Sequence, residues 1–475
     1  CPGNYQNNSQ VDGLVTLGRF MRRAFFMLGV LLFAGFSGSV SAQLPDIVND
    51  HWYHNHTTLT VDVQSWAADH PDIVDLTSAG QTELGRELWV VRLSDWSKET
   101  KDDGTPKDMV YIDGGHHGNE HLGTELAFLV AQYYIDGWAA GEEEAIRVLS
   151  NTEIHVLIML NADGNDLDTR WNVNQVDLNR NYAHRWDENE TQSGNGPFSE
   201  SETLANSEYM NTYMKDADLY ITMHTGVWIM LYPWGYMPDQ PVDWELFHFI
   251  RDDVQDSISE IPIQNANQGL YPNRGTSRDY GYGIMGYPTF TFETDDEQWL
   301  LGSVESLDSR MAEELEVMRY LIDDVWYWRA RLVLDSFELD DETVSFEVSN
   351  LGRASTRNAT LQYLIDDDVA WESSNFTINA TSSTSVSTSG FDYEGGEWRF
   401  SYQKRLINSA AWVNESVDVG DYEVGFFAQS MASLVWALQA GAIPLFVIGF
   451  AFWWSREEKP FYISGEIPLE AELIE

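Results

Sequence analysis

The segment 111-YIDGGHHGNEHLGTEL-126 gathers His116, His117, His121, Glu120 and Glu125 where a strand-like apolar run gives way to a helical pattern. Imidazole nitrogens and carboxylate oxygens are the donors a divalent ion such as zinc accepts, and reactive zinc sites keep three protein ligands with one position open. His117-x-x-Glu120 offers two such donors across a strand-to-helix turn. A lone H-x-x-E recurs by chance, and the same residues serve equally as a polar cap on a helix start, so both readings stand at this point. A third donor must come from elsewhere. His224, closing the strand-like run 218-DLYITMH-224, is placed to supply it. The single cysteine, Cys1, excludes an internal disulfide and a thiolate site, leaving His and carboxylate as the only ligands for a metal.

The elements that must position these residues alternate along 46–325. Strand patterns fall at 108–113, 153–160, 218–224 and 288–294, and helical patterns at 123–138 and 303–328. This alternation predicts an α/β domain with a mixed, mostly parallel sheet flanked by helices. Ligands of such sheets bind beyond the carboxyl ends of the strands, which is where His117 and His224 fall. From about 330 the pattern changes to short alternating runs, 343-TVSFEVSN-350, 360-TLQYLID-366 and 398-WRFSYQ-403, separated by Ser, Thr, Asn and Gly. Residues 330–422 therefore read as a small all-β sandwich, more simply a spacer than a binding module.

Four further segments carry polar groups at element ends: 161-NADG-164, 170-RWNVNQVDLNRNY-182, 196-GPFSESET-203 and 290-FTFE-293. In this order, with H-x-x-E and strand-His, they resemble the motifs of the M14 zinc carboxypeptidases, the carboxypeptidase A/B-like family, across 46–325. The resemblance implies one zinc per chain, held by His117, Glu120 and His224. It implies that Arg170 stabilises the oxyanion, that Asn179 and Arg180 clamp a terminal carboxylate, and that Glu293 is general base and then acid. The family's mobile tyrosine, counted back from that glutamate, is Tyr271. The same count puts Arg278 at the floor of the pocket that sets side-chain preference. A desolvated guanidinium there rewards a carboxylate and penalises a cation, so release of C-terminal Glu or Asp is expected. The blander role for Arg278 is pairing with Asp279 or Asp295.

Departures from the family pattern are Ala162 and Ser201, where prolines are usual, and Asn119, where some members carry arginine. The expected leader runs almost directly into the catalytic region, so no inhibitory pro-segment is expected. His116 should face away from a metal held by His117, because neighbouring strand residues point oppositely. His121 is expected to pack behind the ligands and Glu125 to be structural. The tract 51-HWYHNH-56 reads as a surface segment, and Trp228 and Trp234 as core or pocket lining.

The chain has 475 residues, 76 acids against 27 bases, and a formal charge of −49, with only six lysines. Such a surface repels nucleic acid and anionic membranes and points to a saline milieu, while 43% hydrophobic and 13% aromatic content argue for a folded chain. Residues 1–20 read as an upstream unstructured segment and 21–42 as a signal peptide, with a basic start, an apolar run and small residues before Gln43. The 29 uncharged residues 426–454 exceed the roughly 20 needed to span a bilayer and read as a transmembrane helix, with 455–475 as a cytoplasmic tail. N-x-S/T sequons stand at Asn55, Asn189, Asn358, Asn375, Asn379 and Asn414. The catalytic domain, 46–328, is thus expected on the extracellular face, tethered through its C-terminus, as a zinc exopeptidase acting on peptide or protein C-termini. A zinc amidase of the same fold, acting on γ-glutamyl or cell-wall peptides, is the alternative. A non-catalytic surface-binding protein is the third reading.

Overall fold

The computed structural model describes residues 53–102, 104–295, 304–340, 343–389, 396–403 and 412–417. The expected leader at 21–42 and the span at 426–454 lie outside the described residues, and among those described no helix is long and apolar enough to cross a membrane. The chain divides into two compact units between Arg329 and Ala330.

The first unit is built on an eight-stranded sheet of order β1-β2-β4-β3-β5-β8-β6-β7. Its strands are β1 (Val74–Gln81), β2 (Glu87–Leu93), β3 (Asp108–Gly114), β4 (Thr152–Leu157), β5 (Leu219–Thr225), β6 (Ile229–Tyr232), β7 (Ile263–Asn265) and β8 (Thr289–Thr294). The four central strands, β4, β3, β5 and β8, run parallel, as do β6 and β7; the remaining neighbours are antiparallel. The mixed, mostly parallel sheet expected from the alternation is therefore present. β3 and β5 are buried along nearly their whole length, as strands covered on both faces must be.

The helices are α1 (His56–Asp69), α2 (His121–Ala140), α3 (Glu143–Asn151), α4 (Ser201–Tyr213), α5 (Trp244–Ser257) and α6 (Val304–Asp323), joined by short helical turns. Apolar residues face nearly every side of α2, which is buried from Leu122 to Ala131 and ends on Gly141 in the left-handed region. α6 stops at Asp323, short of the helical pattern in the sequence, and a separate turn covers Val325–Tyr327. β1, β2, β6 and β7 add strands that the sequence reading lacked.

Two glycines let α2 reach the sheet. Gly115 at φ +69° ends β3 and turns the chain before the histidine pair. A Cβ at Gly123 would lie 2.8 Å from the backbone of His224, so the first turn of α2 rests directly on the end of β5.

The second unit holds two antiparallel sheets, β13-β10-β9 and β12-β11-β14-β15. Its strands are β9 (Leu332–Asp340), β10 (Thr343–Asn350), β11 (Thr360–Ile365), β12 (Asp368–Glu372), β13 (Ser383–Ser389), β14 (Glu397–Gln403) and β15 (Trp412–Val417). Alternate residues of both sheets, among them Val344, Phe346, Leu361, Tyr363, Trp398 and Phe400, form one buried cluster. That is the two-layer packing expected of a sandwich.

Candidate active site

The carboxyl ends of β3, β5 and β8 lie side by side, and each delivers one group. His117 follows β3 by a short turn, His224 is the penultimate residue of β5, and Glu293 pairs with His224 across the β5–β8 register. Glu120 occupies the N-cap position of α2 without capping it. Its carboxylate instead meets His117 Nδ1 at 2.7 Å and His224 Nδ1 at 2.9 Å, and accepts the Thr225 N–H at 3.1 Å. The alternative of a polar helix cap is thereby excluded for Glu120.

One donor atom from each of His117, Glu120 and His224 lies within 4.8 Å of the others, and the two Nδ1 atoms are 3.2 Å apart. A tetrahedral zinc with bonds of about 2.0–2.1 Å separates its ligand atoms by roughly 3.3 Å, close to this spacing. The proton positions agree. His117 Nε2 faces Asp177 Oδ1 at 2.9 Å and so carries hydrogen, which leaves Nδ1, turned towards Glu120 and His224, as the nitrogen a metal would take. Lone pairs and a carboxylate converging on one point favour a cation between them. Burial works against charge on His117, yet Glu120 and Asp177 hold it up at about 9, so a zinc ion would take the place of the Nδ1 proton on binding. Burial likewise opposes ionisation of Glu120, which His117 and His224 hold well below the usual carboxylate range. The donor set and its field therefore fit a zinc ion.

Asp177 is the residue that motif reading passed over. Besides His117 it accepts the Asn179 N–H at 3.0 Å and the Arg170 Nε–H at 3.1 Å, so one buried carboxylate aligns three other groups. Its signal in the sequence is its place two residues before Asn179-Arg180. Arg170 also reaches Glu120 Oε1 at 3.0 Å. The Asn179 amide lies between His224 Nε2, 3.1 Å away, and the Ser277 N–H, which it accepts at 3.0 Å. Arg180 donates to the Asn179 carbonyl and, at 3.3 Å, to the Tyr271 hydroxyl.

His117, Glu120, Arg170, Asn179, Arg180 and Glu293 line one open cleft of about 170 Å³. Tyr271 and Arg278 belong to the same lining. Burial raises the Glu293 carboxyl above its ordinary value. Arg278 is 2% exposed and bonds Asp279 through Nε at 3.1 Å, Thr291 through one terminal nitrogen and Asn273 through the other. It both lines the cleft and pairs with Asp279, while Asp295 pairs with Arg310 instead.

The flanking histidines fall outside the cluster. His116 bonds the Tyr182 hydroxyl at 2.8 Å, and His121 sits between Asp168 and Asn165. The surface reading of 51–56 is corrected for His54, which is 2% exposed and bound to Glu125 through both backbone N–H and Nδ1 at 2.7 Å. The physical reason is Glu125 itself, a carboxylate buried inside α2 that needs a partner. Glu125 is structural, as expected. Trp234 is buried, and Trp228 stacks against Arg310.

Comparison with known proteins agrees with this geometry. The family model described as peptidase M14, zinc carboxypeptidase, matches residues 60–313. Carboxypeptidase B of Astacus astacus is 23% identical over 273 residues, covering 51% of this chain and 86% of that protein. Carboxypeptidase O of Bos taurus is 23% identical over 355 residues, covering 64% and 92%. The crystal structure of thrombin activatable fibrinolysis inhibitor superposes with a TM-score of 0.52 at 20% identity, over 57% of this chain and 74% of that one. Carboxypeptidase A from Helicoverpa armigera gives 0.50 at 20% identity, over 62% and 77%. At such identities the two structures speak for the fold, and the family match carries the rest: this chain belongs to the zinc carboxypeptidase family and is a zinc metallocarboxypeptidase.

Proposed function

We propose that this enzyme removes single C-terminal residues, preferentially Glu and Asp, from peptides outside the cell. The observation that carries the reading is Arg278, buried in the wall of the cleft that also holds Glu293 and Arg180. A guanidinium has five N–H donors. Among the described residues Asp279, Thr291 and Asn273 take one each, which leaves one hydrogen on each terminal nitrogen. That pair matches the two oxygens of an incoming carboxylate. Asp279 offsets part of the positive charge, so rejection of a cationic side chain is weaker than a lone arginine would give.

His117, Glu120 and His224 would hold zinc, which would supply a Lewis acid for lowering the pKa of water and polarising a carbonyl. Glu293, at the end of β8, takes the proton of the attacking water and returns it to the leaving amine. Arg170 offers its guanidinium to the oxygen on which charge develops. Asn179 and Arg180 hold the terminal carboxylate, and Tyr271, 46% exposed beside Arg180, closes over it.

The leader pattern at 21–42 and the apolar run 426–454 support a single-pass protein with its catalytic unit on the extracellular face. Surface proteolysis of intact cells that leaves the enzyme untouched would reject this placement.

Blocked peptides ending in Glu, Phe or Lys, incubated with and without chelator at low and high salt, test the activity. Chelator-sensitive release of Glu at a rate at least tenfold above Phe and Lys is expected. Release of Phe or Lys in preference would remove the specificity. No release from any of them by zinc-loaded enzyme would favour the amidase acting on γ-glutamyl or cell-wall peptides.

A further inference from the structure

β8 lies between β5 and β6, so the chain leaving β5 at Thr225 must cross over the end of β8 to enter β6 at Ile229. Residues 226–228 form that arch. Its feet are fixed from below: the Gly226 N–H bonds the Thr294 carbonyl at 3.0 Å, and the Thr294 and Thr225 hydroxyls meet at 3.2 Å. Glu293 sits under it, registered with His224 on one side and Ile229 on the other. Thr225, Gly226 and Val227 face the substrate cleft.

From outside, Arg310 of α6 meets the arch. The Arg310 guanidinium carbon lies 3.6 Å from the centre of the Trp228 ring, and Nε lies 3.0 Å from the Asp295 carboxylate. Asp295 is the first residue beyond β8, so one guanidinium spans the top of the arch and the strand that passes beneath it. Glu313, three residues on along α6, receives Nη1 of Arg310 at 3.0 Å. Glu314, on the same helix, is fully buried, and burial with the nearby Asp295 charge drives its carboxyl strongly towards the neutral form.

We propose that Arg310 is a positioning residue for hydrolysis: by stacking on Trp228 and pairing with Asp295, it holds the arch 226–228 and the end of β8 as one frame around Glu293. This rests on Glu293 being the general base. A planar cation suits the task, since it stacks flat on an indole while its edge meets a carboxylate. Lysine supplies the charge without the plane.

The test uses the zinc-loaded full chain as wild type, Arg310→Gln, Arg310→Lys, Trp228→Leu and the double variant Arg310→Gln/Trp228→Leu. Steady-state kcat and KM on a blocked peptide, zinc per chain, folded fraction and hydrogen exchange of the Gly226 amide are read together. Arg310→Gln is expected to lower kcat at least tenfold, change KM less than threefold, keep one zinc per chain and speed Gly226 exchange. Arg310→Lys should fall between it and wild type, and the double variant should lose no more than the worse single one. A kcat within twofold of wild type overturns the proposal. So does a fall in kcat matched by the fall in folded fraction, or losses that multiply in the double variant. If Glu293→Gln keeps the wild-type kcat, the general-base reading fails separately, and Gly226 exchange still decides whether Arg310 holds the arch.

Discussion

Replacing Asp177 removes the group that aligns the metal ligand His117 without touching a ligand. Its Oδ1 accepts from His117 Nε2 at 2.9 Å and from the Asn179 N–H, and its Oδ2 from Arg170. A hydrogen bond to a charged acceptor contributes about 1.5–3 kcal/mol, which at 1.36 kcal/mol per decade is roughly 10–150-fold in affinity. Loss of a carboxylate behind a metal-bound histidine typically costs about 10–100-fold, within that window. Asp177→Ala should therefore weaken zinc binding by about two decades. Asp177→Asn, which keeps a neutral acceptor for His117 but turns an amide towards Arg170, should weaken it by about one. Competition against a chromophoric chelator of known affinity, at fixed pH and salt, gives both constants. Wild-type affinity in Asp177→Ala would refute the claim that this carboxylate sets the ring. Equal loss in both variants would show that a neutral acceptor contributes nothing beyond the charge.

Other expectations follow from burial. Burial pushes the Glu202 carboxyl up to about 7, so the folded chain keeps a proton that the unfolded chain gives up above about 4.5, and stability falls as pH rises through that window. Glu202→Gln should gain on wild type in urea midpoint between pH 5 and pH 8, and parallel pH curves would reject the assignment. Arg278→Met leaves Asp279 buried without its cation, at a cost of about 3–5 kcal/mol; adding Asp279→Asn should restore most of the melting temperature, and no recovery would show that the pair is not the cause. Zinc at a thousandfold excess over its dissociation constant stabilises by about 4 kcal/mol. Chelation should thus lower the melting temperature by several degrees, and an unchanged melt would mean that the ligand set holds no ion.

The site was legible where spacing encodes chemistry. His117 and Glu120 are three residues apart on a turn, and His224 and Glu293 each end an apolar run, so pattern alone places them at strand ends. Asp177 was not legible in this way, because its value lies in reaching His117, 60 residues away, and nothing in the local pattern encodes that contact. His54 shows the same limit. Its burial is imposed by Glu125, 71 residues on, and a histidine-rich tract read by composition looks like surface. Among the strands, β3 and β5 are mostly apolar and β8 alternates Thr with Phe, whereas β6 and β7 are only four and three residues long and carry too few positions for a period. β1 is half-buried along most of its length and lacks the contrast that alternation needs. The double nature of Arg278, lining the cleft while pairing with Asp279, required side-chain geometry.

The most direct test of the account is the rate of C-terminal residue release by Glu293→Gln, measured on protein whose zinc content is determined in the same sample. General acid–base groups contribute about 10²–10⁴-fold. One zinc per chain in the variant and a rate lower by at least two decades are expected. A variant that retains its zinc and hydrolyses at the wild-type rate would contradict that expectation.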